Sequence, residues 1–197
     1  MLRPGRWRGV RHSTLARAAL AVALAFAAPL QGDGCACNHA APASLEEREC
    51  SLCLEAEKQS RGADGDFPVF FLKDASPRKP NRTLALPVRH GQGQQDMRQL
   101  TPAERALFWK AAMAKAQQLW PDAWGLAVNA DTVRTQCHMH IHIGKLNDGM
   151  CDPDGLTVAT PDHLPAPASG CGIWLHPVPG GLHVHLNRDI AEPVLMR

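Results

Sequence analysis

At 197 residues, 45% hydrophobic and 20% charged, the chain is long enough for one domain with its own core and too short for two of ordinary size. The formal charge is +2, and five arginines (Arg3, Arg6, Arg8, Arg11 and Arg17) crowd the N-terminus without an acidic neighbour. The rest is close to neutral, which excludes the broad basic footprint of a nucleic-acid-binding protein.

An uncharged apolar run, AALAVALAFAAPL, follows at residues 18–30, and then small and polar residues. That order is a secretory signal's, and Ala25-Phe26-Ala27 offers an A-x-A-like cleavage site. The run is short for a bilayer core, which takes about 20 residues. Residues 1–31 are therefore expected to be a signal peptide or N-terminal membrane anchor, 32–45 a linker of small residues, and 46–197 one exported domain. Cys35, Cys37, Cys50, Cys53, Cys137, Cys151 and Cys171 all lie beyond the leader. In an oxidising compartment most would pair, and the odd count leaves one free, metal-bound or joined to another chain.

Residues 46–58 have helical composition around CSLC, which contains Cys50 and Cys53. PVFFL, residues 68–72, is a short apolar run between turn-formers, hence a predicted buried strand. In KDASPRKPNR, Pro77 and Pro80 deny a helix, and TLALP, residues 83–87, is the next strand. A helix is predicted over 101–119, where Thr101 at the N-cap, Pro102 at the first helical position and Glu104 form a capping-box sequence. Phe108, Ala111, Ala112, Ala116 and Leu119 recur at helical spacing and make one apolar face. WGLAVN, residues 124–129, is a predicted strand, and 137–143 another. In the latter, Met139, Ile141 and Ile143 point one way and His138, His140 and His142 the other. The aliphatic side is expected to bury against the helix, leaving the imidazoles on an accessible face. Residues 147–170, rich in Gly, Pro and Asp, are expected to form a long loop tied down by Cys151 and Cys171. GIWLHP and LHVHLN flank Pro179-Gly180-Gly181 as a terminal hairpin. His176, His183 and His185 suggest a second metal site, but a solvent-facing hairpin explains them more simply, and Trp174 is expected to line a groove.

Histidines at alternate strand positions stand side by side, about 6.5 to 7 Å apart along the backbone. With an ordinary pKa of about 6.5, an imidazole is largely neutral near pH 7. The central ring, His140, can then attack an electrophile while His138 and His142 hydrogen-bond its oxygens or polarise the leaving group. Phosphorus suits this arrangement, because fixed donors stabilise the charge on its equatorial oxygens. Asn129, Arg134, Thr135 and Gln136 all carry phosphate donors. Neither a P-loop nor a carboxylate cluster for Mg²⁺ is present, so the chemistry needs no metal at the reacting phosphorus. The blander reading is a histidine-rich strand face or adventitious metal binding. Arg78, Lys79 and Arg82 either meet anionic headgroups or form a solvated turn. Cys50 and Cys53 fit zinc completed by two distant histidines, or a disulfide with Cys35, Cys37 or each other.

HMHIHIG resembles the histidine-triad signature, in which three histidines alternate with hydrophobic residues. DASPRKPNRTLALPVRH, residues 74–90, is similar to the first characteristic block of histidine-triad proteins, and the helix at Thr101 and GLAVN are similar to the elements that precede their triad. Within that superfamily AVNADTVRTQCHMHIHI is most similar to the CDP-diacylglycerol pyrophosphatase branch, with which export also agrees. The resemblance implies an α+β, histidine-triad-like fold, an antiparallel sheet with helices packed on one face. It implies a hydrolase converting CDP-diacylglycerol to CMP and phosphatidate through a nucleotidyl intermediate on His140. His142 would then contact phosphate or leaving group, Asn129 and Gln136 phosphate oxygens, and Asp74 ribose hydroxyls. Zinc-containing relatives imply a structural zinc on Cys50, Cys53, His90 and His138, with no cofactor required for the chemistry. The implied partners are a nucleotide or nucleotide-lipid substrate, a membrane surface on the periplasmic side, and a second copy in a homodimer. Two alternatives stand beside it: a histidine-triad hydrolase or transferase acting on soluble nucleotides or dinucleoside polyphosphates, and a non-catalytic periplasmic metal-binding protein. In the second, HMHIH and LHVHL supply the ligands of a jelly roll, against which the central helix argues.

Overall fold

The computed structural model describes residues 50–89, 96–130, 133–134, 136–150 and 153–197. The expected leader and linker, together with Cys35, Cys37, His90, Thr135 and Cys151, lie outside them. In chain order the elements are helix α1 (Ser51–Ser60), strands β1 (Val69–Lys73) and β2 (Thr83–Pro87), helix α2 (Pro102–Leu119), and strands β3 (Trp124–Val128), β4 (Ile141–Lys145), β5 (Leu156–Val158), β6 (Gly172–Val178) and β7 (Gly181–Arg188). All seven strands join one α+β sheet in the order β1-β2-β4-β3-β6-β7-β5, each neighbouring pair antiparallel.

α2 begins as its sequence dictates. Thr101 Oγ1 accepts from the Glu104 backbone N–H at 3.2 Å, and the Glu104 carboxylate accepts from the Thr101 N–H at 2.8 Å. Its buried residues are Ala106, Phe108, Trp109, Ala112 and Ala116, so the expected face is rotated toward Trp109, and Leu119 is 39% exposed. This face packs on Ala85, Leu126, Met139, Ile141, Ile143, Ile173 and Leu175, as the alternation at Met139, Ile141 and Ile143 predicts.

The other face of the sheet is buried as well. Leu84 and Leu86, of opposite parity to Ala85, cluster with Leu52 and Cys53 of α1 and with Cys50 and Cys137. The expectation of helices on one face is therefore corrected: β2 is apolar on both sides, and α1 covers the side that α2 does not. Further along the same face, Ala127 and Trp174 cluster with Ala191, Val194 and Leu195. The C-terminal residues bond to the end of β4, with the Met196 N–H on the Lys145 carbonyl at 2.7 Å and the Asn147 N–H on the Val194 carbonyl at 2.9 Å. Gly125 makes room for them, since a Cβ there would stand 2.6 Å from Leu195 Cδ2.

Other expectations change in detail. The first helix spans Ser51–Ser60, past the expected 46–58 at its C-terminal end. The triad strand begins at Ile141, so residues 137–140 lie outside the ladder. β1 is an edge strand with Phe71 36% exposed, not a buried one. The region 147–170 is not simply a loop: Leu156–Val158 pairs with β7, and a 3-10 turn at Pro161–His163 meets α2 through Asp162 and Lys110 at 2.7 Å. The terminal hairpin is present, turning at Gly180 with φ 84°. Among the described residues no helix is long and apolar enough to cross a membrane.

Candidate active site and metal centre

His138, His140 and His142 are 1%, 6% and 5% exposed, which corrects the expected accessible face. The C-terminal residues and α1 lie on that side of the sheet, and their distance in sequence hid the cover. The three rings have different surroundings. His138 Nε2 lies 2.8 Å from the Pro87 carbonyl and its Nδ1 3.9 Å from Cys53 Sγ. His140 Nδ1 lies 2.7 Å from the His138 carbonyl. His142 Nε2 lies 3.1 Å from Glu192 Oε2. The His140 and His142 rings meet edge to face, with centroids 4.8 Å apart.

A carbonyl can only accept, so the His140 Nδ1 carries the proton and Nε2 keeps its lone pair. Burial lowers the pKa of His140, and the Arg134 charge adds to this. The hydrogen bond to the His138 backbone and the charges of Glu192 and Asp74 oppose it. The ring is thus neutral at neutral pH, with its lone pair on Nε2. Burial holds His142 well below the ordinary histidine range, reinforced by His140, Lys79 and Arg82.

Glu192 is the hub of the polar contacts beside His142. Its carboxylate accepts from Lys79 Nζ at 2.6 and 2.7 Å and from Arg82 Nη1 at 3.2 Å. Arg82, 2% exposed, also donates to the carbonyls of Met196 at 3.1 Å and Leu195 at 2.6 Å. Burial lowers its pKa against the opposing charges of Glu192 and Asp74. Of the three basic residues in the turn, Arg78 is solvent-exposed, while Lys79 and Arg82 are held by Glu192.

The other expected substrate contacts divide. Asp74 Oδ1 accepts from the Ser76 N–H at 2.9 Å, closing an Asx turn, and its charge reaches His140. Asn129 Oδ1 accepts from the N–H groups of Ala191 and Glu192 at 2.8 and 3.0 Å, which makes it a clamp on the C-terminal residues. Arg134 lines a small pocket with Asn129, Asp96, Met139 and Cys171. Gln136 accepts from the Ser51 hydroxyl at 3.4 Å, at the start of α1.

Cys50, Cys53 and Cys137 are buried with Sγ–Sγ distances of 3.0 Å (50–53), 3.4 Å (53–137) and 3.0 Å (50–137). These separations are too long for a disulfide bond between any two of the three. The three thiols can hold a metal ion. Tetrahedral zinc with Zn–S of about 2.3 Å separates its sulfurs by about 3.8 Å, so modest outward side-chain rotation would fit the cluster to it. His138 Nδ1 stands beside Cys53 as a fourth donor, and the Pro87 carbonyl accepts from its other nitrogen, an arrangement that orients a ligating imidazole. Cys50, Cys53 and His138 are thus brought together as expected, and Cys137 joins them. His90 lies outside the described residues. Strand parity puts Cys137 on the side of Met139, but the ladder starts only at Ile141, so parity says nothing about it.

A second group able to hold a metal, His176, His183 and His185, is 5%, 8% and 3% exposed, which corrects the expected solvent-facing hairpin. Trp174 lies stacked on His185 rather than lining a groove. No family model matches the chain.

Proposed function

We propose that this protein is a histidine-triad-type phosphoanhydride hydrolase, cleaving the diphosphate linkage of a CDP-diacylglycerol-like nucleotide lipid to CMP and phosphatidate. The observation that supports it most is the 2.7 Å contact from His140 Nδ1 to the His138 carbonyl, which frees Nε2 as the nucleophile of a buried ring. His140 Nε2 attacks the phosphorus of the CMP moiety, and the bridging P–O bond breaks with its electron pair leaving on phosphatidate. His142, edge-on to His140, would hydrogen-bond that leaving oxygen. Water then attacks the phosphohistidine and gives up a proton to solvent, the P–N bond breaks, CMP departs and the lone pair returns to Nε2. The Asn129 amide and the guanidinium of Arg134 are the kinds of donor that the equatorial oxygens take, and Asp74 is the proposed ribose contact.

A structural zinc on Cys50, Cys53, Cys137 and His138 accompanies this reading. It would fix α1 and the segment leading into the triad, and no step of the reaction passes through it. A leader that exports the domain brings it to the periplasmic face, where a nucleotide lipid is met.

CMP release from CDP-diacylglycerol by wild type and by His140→Ala is the test. A loss on the order of 10³-fold or more is expected for removal of a nucleophile, and undiminished turnover would sink the mechanism. Hydrolysis of free nucleotide diphosphates or dinucleoside polyphosphates without action on the lipid would leave His140 in place and discard the lipid substrate.

A further inference from the structure

The hairpin carries a cluster that the proposed hydrolysis does not use. In β6 and β7, Trp174 stands opposite His185, and His176 opposite His183. Residues two apart share a face, so the four rings form one block. Trp174 and His185 stack with centroids 3.7 Å apart and planes within 6°. His183 meets His185 at 4.5 Å and His176 at 5.3 Å, both steeply tilted. One nitrogen from each of the three imidazoles lies within 4.8 Å of the others.

Ring packing alone explains part of this. It does not explain His176. Its Nδ1 lies 3.1 Å from the Pro177 carbonyl and must therefore carry the proton, which leaves the lone pair on Nε2. That Nε2 is buried without a hydrogen-bond partner among the described residues, a costly condition for an acceptor that an apolar ring of the same shape would avoid. A proton held on one nitrogen by a carbonyl and a lone pair on the other is how a protein presents histidine to a metal. Burial also lowers the pKa of His176, favouring the neutral form that ligates. The His183 ring lies close against Gly155, where any Cβ would collide with it.

We infer that His176, His183 and His185 form a second metal site, taking a divalent transition cation of the imidazole-preferring class, with Zn²⁺ as reference, through three nitrogens. Zinc–nitrogen bonds of about 2.0–2.1 Å bring such nitrogens to about 3.3 Å apart, within reach by small rotations of the rings. Three imidazoles leave a fourth position for water or an anion, and the absence of sulfur selects against the softest ions. The site is separate from the triad. His142, Ala127, Trp174 and His185 are successive partners across β4, β3, β6 and β7, so three strand spacings, about 14 Å, lie between His142 and His185.

The test is a Co²⁺ titration of the metal-stripped full-length protein, followed by absorption and by counting bound equivalents. In wild type we expect two equivalents. One raises the near-ultraviolet sulfur-to-cobalt band of the cysteine cluster, and the other adds only visible ligand-field absorption. The double substitution His176→Gln and His183→Gln should keep the sulfur band and lose the second equivalent. Saturation of wild type at one equivalent with a sulfur band overturns the inference, as does a second equivalent that survives in the variant. The wild-type spectrum decides the matter even if the variant fails to fold. CMP release plays no part in the readout, so failure of the proposed hydrolysis leaves this result unaffected.

Discussion

A buried neutral histidine stores a penalty that acid releases, and His142 is placed to show it. The groups facing it are His140, Lys79 and Arg82, which oppose its protonation, and the carboxylate of Glu192 at 3.1 Å. Its folded pKa lies well below 6.5, so the unfolded chain binds the additional proton in the window between the two values. Stability is therefore intact above about pH 6.5 and declines as pH falls through that window, by up to about 1.4 kcal/mol per pH unit for this one group. Urea midpoints measured from pH 7 to pH 5 should drop in wild type and drop less in His142→Gln; parallel curves would contradict the buried neutral ring. Arg82 carries a larger single cost. Replacing it with Met removes the donor to two backbone carbonyls and leaves Glu192 with Lys79 as its cation, and the loss expected for breaking a buried ion pair is about 3 kcal/mol. A denaturation experiment finding under about 1 kcal/mol would mean that the C-terminal residues do not depend on it. Neither role was legible from local sequence. PRKPNR has the composition of a solvated turn, and the residue that buries Arg82 lies 110 positions away.

Elements set by local chemistry were the legible ones. The capping box and Pro102 fix the start of α2 before any tertiary contact is considered, and Thr101→Ala should cost about 1 kcal/mol, read as a shift in the denaturation midpoint at unchanged slope. A shift below about 0.3 kcal/mol would imply that solvent satisfies the first turn equally well. Elements set by partners were less legible. TLALP looks like a one-sided strand, yet Leu84, Ala85, Leu86 and Pro87 are all buried, because β2 lies between β1 and β4 with a helix on either face. Leu156–Val158 is too short to announce itself and exists by pairing Thr157 with His183. Alternation correctly sent Ile141 and Ile143 toward α2, and said nothing of exposure on the other side, since what covers His142 comes from the opposite end of the chain.

Across the molecule, the cysteine cluster is the feature that ties α1 to the candidate site, and metal removal tests that coupling. α1 has ten residues, no side-chain N-cap bond and three buried side chains, Leu52, Cys53 and Ala56. A helix of that length is marginal alone in water, and so small an apolar face adds little. Cys50 and Cys53 join it to Cys137 and His138, and the His138 carbonyl sets the His140 tautomer. If the cluster holds zinc as proposed, stripping it should therefore act in sequence. Amides of α1 lose hydrogen-exchange protection first, the melting temperature falls by about 5 °C or more, and, on the proposed reaction, CMP release slows. Cys53→Ser should reproduce all three effects and abolish their dependence on chelator, while added Zn²⁺ restores only the wild type. If chelation lowered activity and left α1 protected, the metal responsible would lie elsewhere, and the coupling from α1 through His138 to His140 would be refuted.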